Sequence, residues 1–326
     1  MPNFHQPSLR HWTLIACVFI ATPSLAQTSV VEKHGRLSVE GNRIVDQKGD
    51  AVVLRGMSLY WSQWKGDFYN RNAVKWLRDD WNCSVVRAAM AVDMGGYLKN
   101  PEAEKTKVKA AVEAAIDLGI YVIIDWHDHE AHLHTEQAKE FFAEMAKTYG
   151  DKPNVIYELW NEPLNTHDWS TVIKPYHEEV IAAIRQVDPD NLIICGTQSW
   201  SQDVDKAARD PLSFDNVAYT LHFYTGTHRQ SLRDKASAAL KSGIALMVTE
   251  WGASEATGNG NLDREETRRW FDFMDENQLS WCTWSVADLT ETSAALRPGA
   301  STEGGWKDEE ISDSGKLVRE ELRAKN

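Results

Sequence analysis

The chain has 326 residues, 48 acidic against 35 basic, and a formal charge of −13. That length suits one barrel, which takes roughly 250 residues, and the negative charge argues against nucleic acid or anionic membrane surfaces as partners. No Ser/Thr/Pro-rich linker, low-complexity tract or short internal repeat interrupts it, so a single domain without an appended module is expected.

The N-terminus reads as a targeting segment. Arg10 and His11 precede the apolar run from Trp12 to Ile20, and Ser24-Leu25-Ala26 puts small residues before Gln27, as in a cleaved secretory signal over residues 1–26. Leu14-Ile15-Ala16-Cys17 also looks like a lipoprotein processing box, but it falls inside the apolar run, so cleavage after Ala26 is the expectation. Losing residues 1–26 removes Arg10 and no acidic residue, taking the charge from −13 to −14. Cys83, Cys195 and Cys282 remain, each in a strand-like apolar stretch, and their odd number favours buried free thiols over a disulfide framework. A secreted monomer with no membrane attachment after cleavage follows as an expectation.

Residues 27–326 begin with Leu37 to Asp46, which alternates apolar and polar residues around Gly41-Asn42 and reads as a small hairpin capping one end of the domain. Strand-like and helix-like segments then alternate. Strands are expected at 52–57, 84–88, 120–125, 155–160, 192–196, 217–221, 246–249 and 281–285. Helices are expected at 72–80, 104–118, 135–149, 172–187, 231–241 and 263–276, with a short one at 203–209. Eight strands joined by crossovers long enough to be helical predict a parallel closed sheet, a (β/α)8 barrel of TIM type, with the hairpin as a short N-terminal cap.

In such a barrel, functional groups gather at the carboxyl ends of the strands. Those ends carry Arg87, Trp126-His127, Asn161-Glu162, His222 with Tyr224, Glu250-Trp251 and Trp284. Val155-Ile156-Tyr157-Glu158-Leu159-Trp160 runs into Asn161-Glu162-Pro163, and Pro163 keeps Glu162 extended and presented beyond the strand. Ile244 to Thr249 delivers Glu250 in the same way. One glutamate at a strand end is more often a salt bridge or cap, but two on matched apolar strands suggest paired carboxylates.

Glycosidic hydrolysis needs an acid for the leaving oxygen and a second carboxylate across the anomeric carbon. Glu162 suits the acid, with Asn161 on a sugar hydroxyl and the apolar strand behind it expected to raise its pKa. Glu250 suits the nucleophile, and Arg87 and the Tyr224 hydroxyl are candidate donors to it. Fourteen tryptophans are many for this length. Trp61, Trp64, Trp200, Trp251 and Trp284, at loops or strand ends, suit stacking on sugar rings, whereas Trp76, Trp81 and Trp270 read as core.

A rival signal is His127-Asp128-His129-Glu130-Ala131-His132, followed by His134, because a short histidine run can hold zinc for hydrolysis. It lacks His-Glu-x-x-His and an evident second ligand set. His127 alone is better read as a sugar-binding residue, His132 and His134 as a solvated loop, and no metal or other cofactor is expected.

In Leu54-Arg55-Gly56-Met57-Ser58, Val86-Arg87, Asp125-Trp126-His127, Trp160-Asn161-Glu162-Pro163, Leu221-His222-Phe223-Tyr224, Thr249-Glu250-Trp251-Gly252 and residues 292–300, taken in this order, the chain resembles glycoside hydrolase family five, in particular bacterial endoglucanases of its second subfamily. The resemblance implies a retaining hydrolase of β-1,4-glucans such as cellulose, and with no appended binding module visible, soluble or amorphous glucan is the expected form. It implies Glu162 as acid/base and Glu250 as nucleophile, with Arg87, His127, Asn161, His222, Tyr224 and Trp284 around the cleaved sugar; Trp64 and Trp200, from their loop positions, and Tyr60 are expected along the glucan. Two positions depart from the pattern: Tyr60, where many relatives carry histidine, and Leu289, where many carry lysine. Both bear on substrate preference, which leaves a mixed-linkage glucanase, mannanase or xyloglucanase as alternatives on the same scaffold.

Overall fold

The computed structural model describes residues 1–4 and 28–326. The expected signal segment and its Cys17 box therefore lie almost wholly outside the described residues.

A two-stranded antiparallel hairpin comes first, β1 (Ser38–Glu40) with β2 (Arg43–Val45). Eight parallel strands then close into a barrel: β3 (Arg55–Leu59), β4 (Val85–Ala91), β5 (Tyr121–His127), β6 (Val155–Glu158), β7 (Ile193–Cys195), β8 (Val217–Tyr224), β9 (Leu246–Gly252) and β10 (Trp281–Val286), with β10 returning to β3. The expected (β/α)8 barrel with its hairpin cap is the observed fold. Helices on its outside include Arg71–Asp79, Pro101–Leu118, Thr135–Tyr149, Lys174–Arg185, Gln230–Lys241 and Arg264–Glu276. Between β7 and β8 the helix is short, Val204–Arg209, as its sequence suggested.

Besides short helical turns such as Val30–His34, Ser62–Lys65 and Gln198–Ser201, one long helix was not anticipated. Asp313–Lys325 completes the outer ring, capped by Ser312, whose side chain accepts from Gly315 N. Its apolar positions, Val318 and Leu322, are sparse among charges, and this weak periodicity is why it escaped notice.

The two faces of each strand have different duties. In β4, Val86, Ala88 and Met90 point outward into the large core shared with the helices, and Val85 points inward. Inside the lower barrel Val85, Tyr121, Ile123, Ile156, Ile194, Ala218, Met247 and Cys282 form a second core, and Ile44 of the hairpin packs against it. Period-two alternation carries the inward face from these apolar residues to Arg87, Asp125, Glu158, Thr220 and His222 one step higher, all buried. Gly56 is required where β3 passes β4, because a Cβ there would stand 1.7 Å from the Val85 carbonyl oxygen. The three described cysteines are free and buried.

Candidate active site

Arg87 is fully buried at the centre of the upper barrel and is spent on five partners, Ser58 among them. Its Nε donates to Glu158 Oε2 (2.7 Å), Nη2 to Asn161 Oδ1 (2.7 Å) and Nη1 to Glu250 Oε2 (3.0 Å). Asp125 Oδ2 stands 2.8 Å from Nη2. A planar guanidinium is suited to this, since its donors form a rigid fork that several carboxylates can share. Tyr224 Oη donates to the other Glu250 oxygen at 2.7 Å, and burial together with Glu250 raises its pKa, keeping it a donor. Both donors expected for Glu250 thus lie on it.

Glu162 is held from two sides. His222 Nδ1 lies 3.0 Å from Oε1 and His129 Nε2 lies 3.3 Å from Oε2. Burial alone raises a carboxyl pKa, but these two imidazoles outweigh it and draw Glu162 below the usual carboxylate range. The raised pKa expected from the apolar strand is therefore corrected: the sequence places the strand behind Glu162 but hides the pairing with His222 across the barrel and with His129 from the loop after β5. His222 moves the opposite way. Burial lowers it, yet Glu158 and Glu162 together carry it up to about 9, so it is an imidazolium at neutral pH. As a cation it donates through Nδ1 to Glu162 and through Nε2 to Thr249 Oγ1 at 2.9 Å. Thr249 passes its own proton to Glu158 Oε1 at 2.6 Å, and Glu158 closes the path to Arg87. A continuous chain of hydrogen bonds thus links Glu162 to Glu250.

His127, at the end of β5, is in the opposite protonation state. Burial and the nearby Arg87 push it down to about 3, so it is neutral, hydrogen-bonded to Asp125 at 2.6 Å. Its ring lies parallel to Trp284 at 5.1 Å between centroids, and Tyr60 sits on Trp284 at the same separation. Irregular register helps aim these groups. Pairing of β8 with β9 shifts between Thr220 and His222, which sets His222 opposite Glu250, and β10 shifts against β3 beyond Trp284.

The glutamates open on a cleft. Glu162, His222, Tyr224, His228 and Glu250 line a cavity of about 370 Å³ with Trp200, and Trp200 also borders a second of about 360 Å³ with Trp61, His127 and His129. Ser199, Trp200 and Ser201 all have positive φ, 62°, 56° and 57°, a left-handed turn that costs non-glycine residues and holds the Trp200 indole over the junction. Trp64 is exposed beside Tyr60 and Trp61. A further cavity, about 520 Å³, lies away from the glutamates, around Arg78, Cys83 and Leu118.

Two readings of the sequence change here, those of Trp251 and of the His132–His134 loop. Trp251 is fully buried against Phe271 and Trp281 and takes no part in the cleft. The histidine run does not converge on one ion: His127 turns into the barrel, His129 to Glu162, His134 to Asp128 (2.8 Å) and His132 to His167. His132 and His134 are half-buried in the turn Ala131–His134, not a solvated loop. At the two departures, Tyr60 Oη donates to Glu291 (3.3 Å), and Lys65 puts an ammonium on Asp288 (2.6 Å), the neighbour of Leu289.

Sequence reasoning missed Glu158, Thr249 and His129. Glu158 had a signal, a charge at an inward position of an otherwise apolar strand. His129 had none, because its role depends on how the loop after β5 folds back.

Comparison with known proteins gives one answer. A family model described as cellulase (glycosyl hydrolase family 5) matches residues 45–289. Endoglucanase N of Pectobacterium atrosepticum is 50% identical over 304 residues, 92% of this chain and 68% of the relative. Endoglucanase A of Evansella cellulosilytica is 52% identical over 315 residues, covering 95% of this chain and 64% of the relative. Among solved structures, one from Cytophaga hutchinsonii superposes with a TM-score of 0.91 at 56% identity, covering 91% of this chain and 97% of the other. The catalytic domain of a Thermobifida fusca endoglucanase does so with 0.87 at 34%, covering 90% and 99%.

Proposed function

Because this chain belongs to the cellulase family, glycosyl hydrolase family 5, it is a glycoside hydrolase, and we propose that it is an endo-β-1,4-glucanase working by double displacement on Glu250 and Glu162. The observation that carries the reading is the spacing of the two carboxylates. Their facing oxygens lie within 4.8 Å of each other and of His222, too close to seat a water beside the sugar, as inversion requires, and suited to a covalent intermediate.

Glu250 Oε attacks the anomeric carbon while Glu162 gives a proton to the departing glycosidic oxygen, leaving a glycosyl ester on Glu250. Glu162 then takes a proton from water, which attacks the same carbon and releases the sugar with its original configuration. Arg87 and Tyr224, one on each Glu250 oxygen, orient the nucleophile and take up its charge as the ester breaks. The proton for the first step comes from the Glu162–His222 pair, which titrates as a unit and keeps one proton up to about pH 9. Asn161 and neutral His127 face the sugar hydroxyls. Trp284 packs against His127 and Tyr60, and the exposed Trp200 and Trp64 offer indole faces along the glucan.

The glucan substrate is supported by a Thermobifida fusca endoglucanase solved with cellotetraose, 33% identical with a TM-score of 0.86. Residues 1–26 are read as a signal that sends the enzyme out of the cytoplasm as a monomer. No helix among the described residues is long and apolar enough to cross a membrane.

The test is release of reducing ends from carboxymethyl cellulose by the wild type and by Glu250→Gln, with and without chelator, and with ¹H NMR of the first anomer released. Activity that persists in chelator, vanishes in the variant and yields the β-anomer supports the reading. An α-anomer would overturn double displacement, and preference for mannan or xyloglucan would move the substrate.

A further inference from the structure

The loops that follow β5 and β6 meet behind Trp160, and a second set of donor atoms gathers there, apart from the glutamate pair. Glu130 and His132 come from the loop after β5, His167 from the loop after β6, and one donor atom of each lies within 4.8 Å of the other two. His167 Nε2 is 2.7 Å from Glu130 Oε2, and His132 Nδ1 is 3.8 Å from the same oxygen. The imidazole centroids stand 4.4 Å apart. Both nitrogens are buried, and neither has an aligned hydrogen-bond partner. A buried nitrogen without a partner is costly and uncommon, and here two face one carboxylate oxygen.

We propose that Glu130, His132 and His167 bind a divalent transition cation of the zinc class, which fastens the β5 and β6 loops together beside Glu162. Two imidazoles and one carboxylate are a borderline donor set, which suits zinc, cobalt, nickel or copper and not calcium or magnesium, whose shells are oxygen. Around zinc, ligand atoms at about 2.0–2.2 Å in a tetrahedron stand roughly 3.3–3.6 Å apart. The 2.7 and 3.8 Å separations bracket that spacing, so small rotations of side chains complete the shell, with water as the fourth ligand. The rings are already oriented: His132 stacks on Trp160 at 5.5 Å and 19°, and His167 lies 5.9 Å from the same indole. Trp160 immediately precedes Asn161 and Glu162. The ion thus acts on the order of the loops around the acid/base and takes no part in bond cleavage.

The experiment uses the untagged full chain, stripped with chelator and desalted, titrated with zinc chloride by calorimetry and followed by thermal unfolding. One ion per chain at micromolar or tighter affinity is expected, with Tm rising about 3–6 °C at a hundredfold excess over Kd. Cobalt in its place is expected to give the visible bands of a tetrahedral site. His132→Ala/His167→Ala should lose binding and the Tm rise while hydrolysing carboxymethyl cellulose at the wild-type rate. His167→Gln, checked by circular dichroism and activity, is the milder variant, with affinity at least tenfold weaker. No binding below millimolar zinc overturns the proposal. So does binding unchanged in these variants, or binding lost instead in Glu162→Gln, which would place the ion on Glu162, His222 and Glu250.

Discussion

Arg87 holds Glu250 at 3.0 Å from a guanidinium with no exposure to solvent. The same group satisfies Glu158 and Asn161, so it cannot be exchanged for a point charge. Arg87→Lys is expected to lower kcat at least about 100-fold and to destabilise the fold by about 3–5 kcal/mol, because buried carboxylates lose partners. Steady-state kinetics beside denaturant unfolding checks both, and a stable, active lysine variant would remove Arg87 from its central place.

Glu162→Gln should cost about 10²–10⁴ in kcat on cellulose. On an aryl cellobioside whose leaving group departs without a proton, the loss in forming the glycosyl ester should be far smaller. Glu250→Gln should abolish activity on both. Equal losses on the two substrates for Glu162→Gln would contradict its role as the acid.

His222 predicts how stability depends on pH. Its folded pKa, about 9, lies above the ordinary 6.5, so the stability it contributes is complete below about pH 6.5 and is lost as pH rises through 9. The change amounts to about 3 kcal/mol. His222→Asn should flatten that alkaline fall in chemical unfolding measured from pH 6 to 10. The same variant should move the alkaline limb of kcat/KM downward, since the proton it shares with Glu162 is gone.

Trp200 couples binding to backbone strain. Trp200→Ala is expected to raise KM roughly 3- to 10-fold through lost stacking, about 0.7–1.4 kcal/mol, with kcat little changed. Trp200→Gly removes the same indole but also relieves a φ of 56°, so it should be no less stable than the alanine variant despite glycine's freedom in the unfolded chain. Thermal unfolding of the pair separates strain from packing.

Most of the barrel was legible because each strand has an apolar outer face and each of the longer helices but the last carries its own period. The last helix was not, its few apolar residues being scattered among charges. At the site, residues at strand ends could be read from position alone: Arg87, Asn161, His222, Tyr224 and Glu250 follow directly from where each strand stops. Partners that depend on one loop crossing another could not be read, which is why His129 on Glu162 was missed and the Glu162 pKa was expected to rise when it falls. Trp251 was misplaced for a simpler reason: beside Glu250 on β9, it faces the helices. The alternation is visible in the sequence, but the register shift that brings Glu250 to the cavity is not.

The hydrogen-bonded path from Glu162 through His222, Thr249, Glu158 and Arg87 to Glu250 makes the two halves of the reaction talk to each other. The anion on Glu250 is among the charges that keep the extra proton on His222. Once Glu250 becomes a neutral ester that hold slackens, so the Glu162–His222 pair, having given its proton to the leaving oxygen, stays unprotonated. The first half-reaction thus leaves the acid tuned as a base for the second, and breaking the ester restores the charge that recruits the next proton.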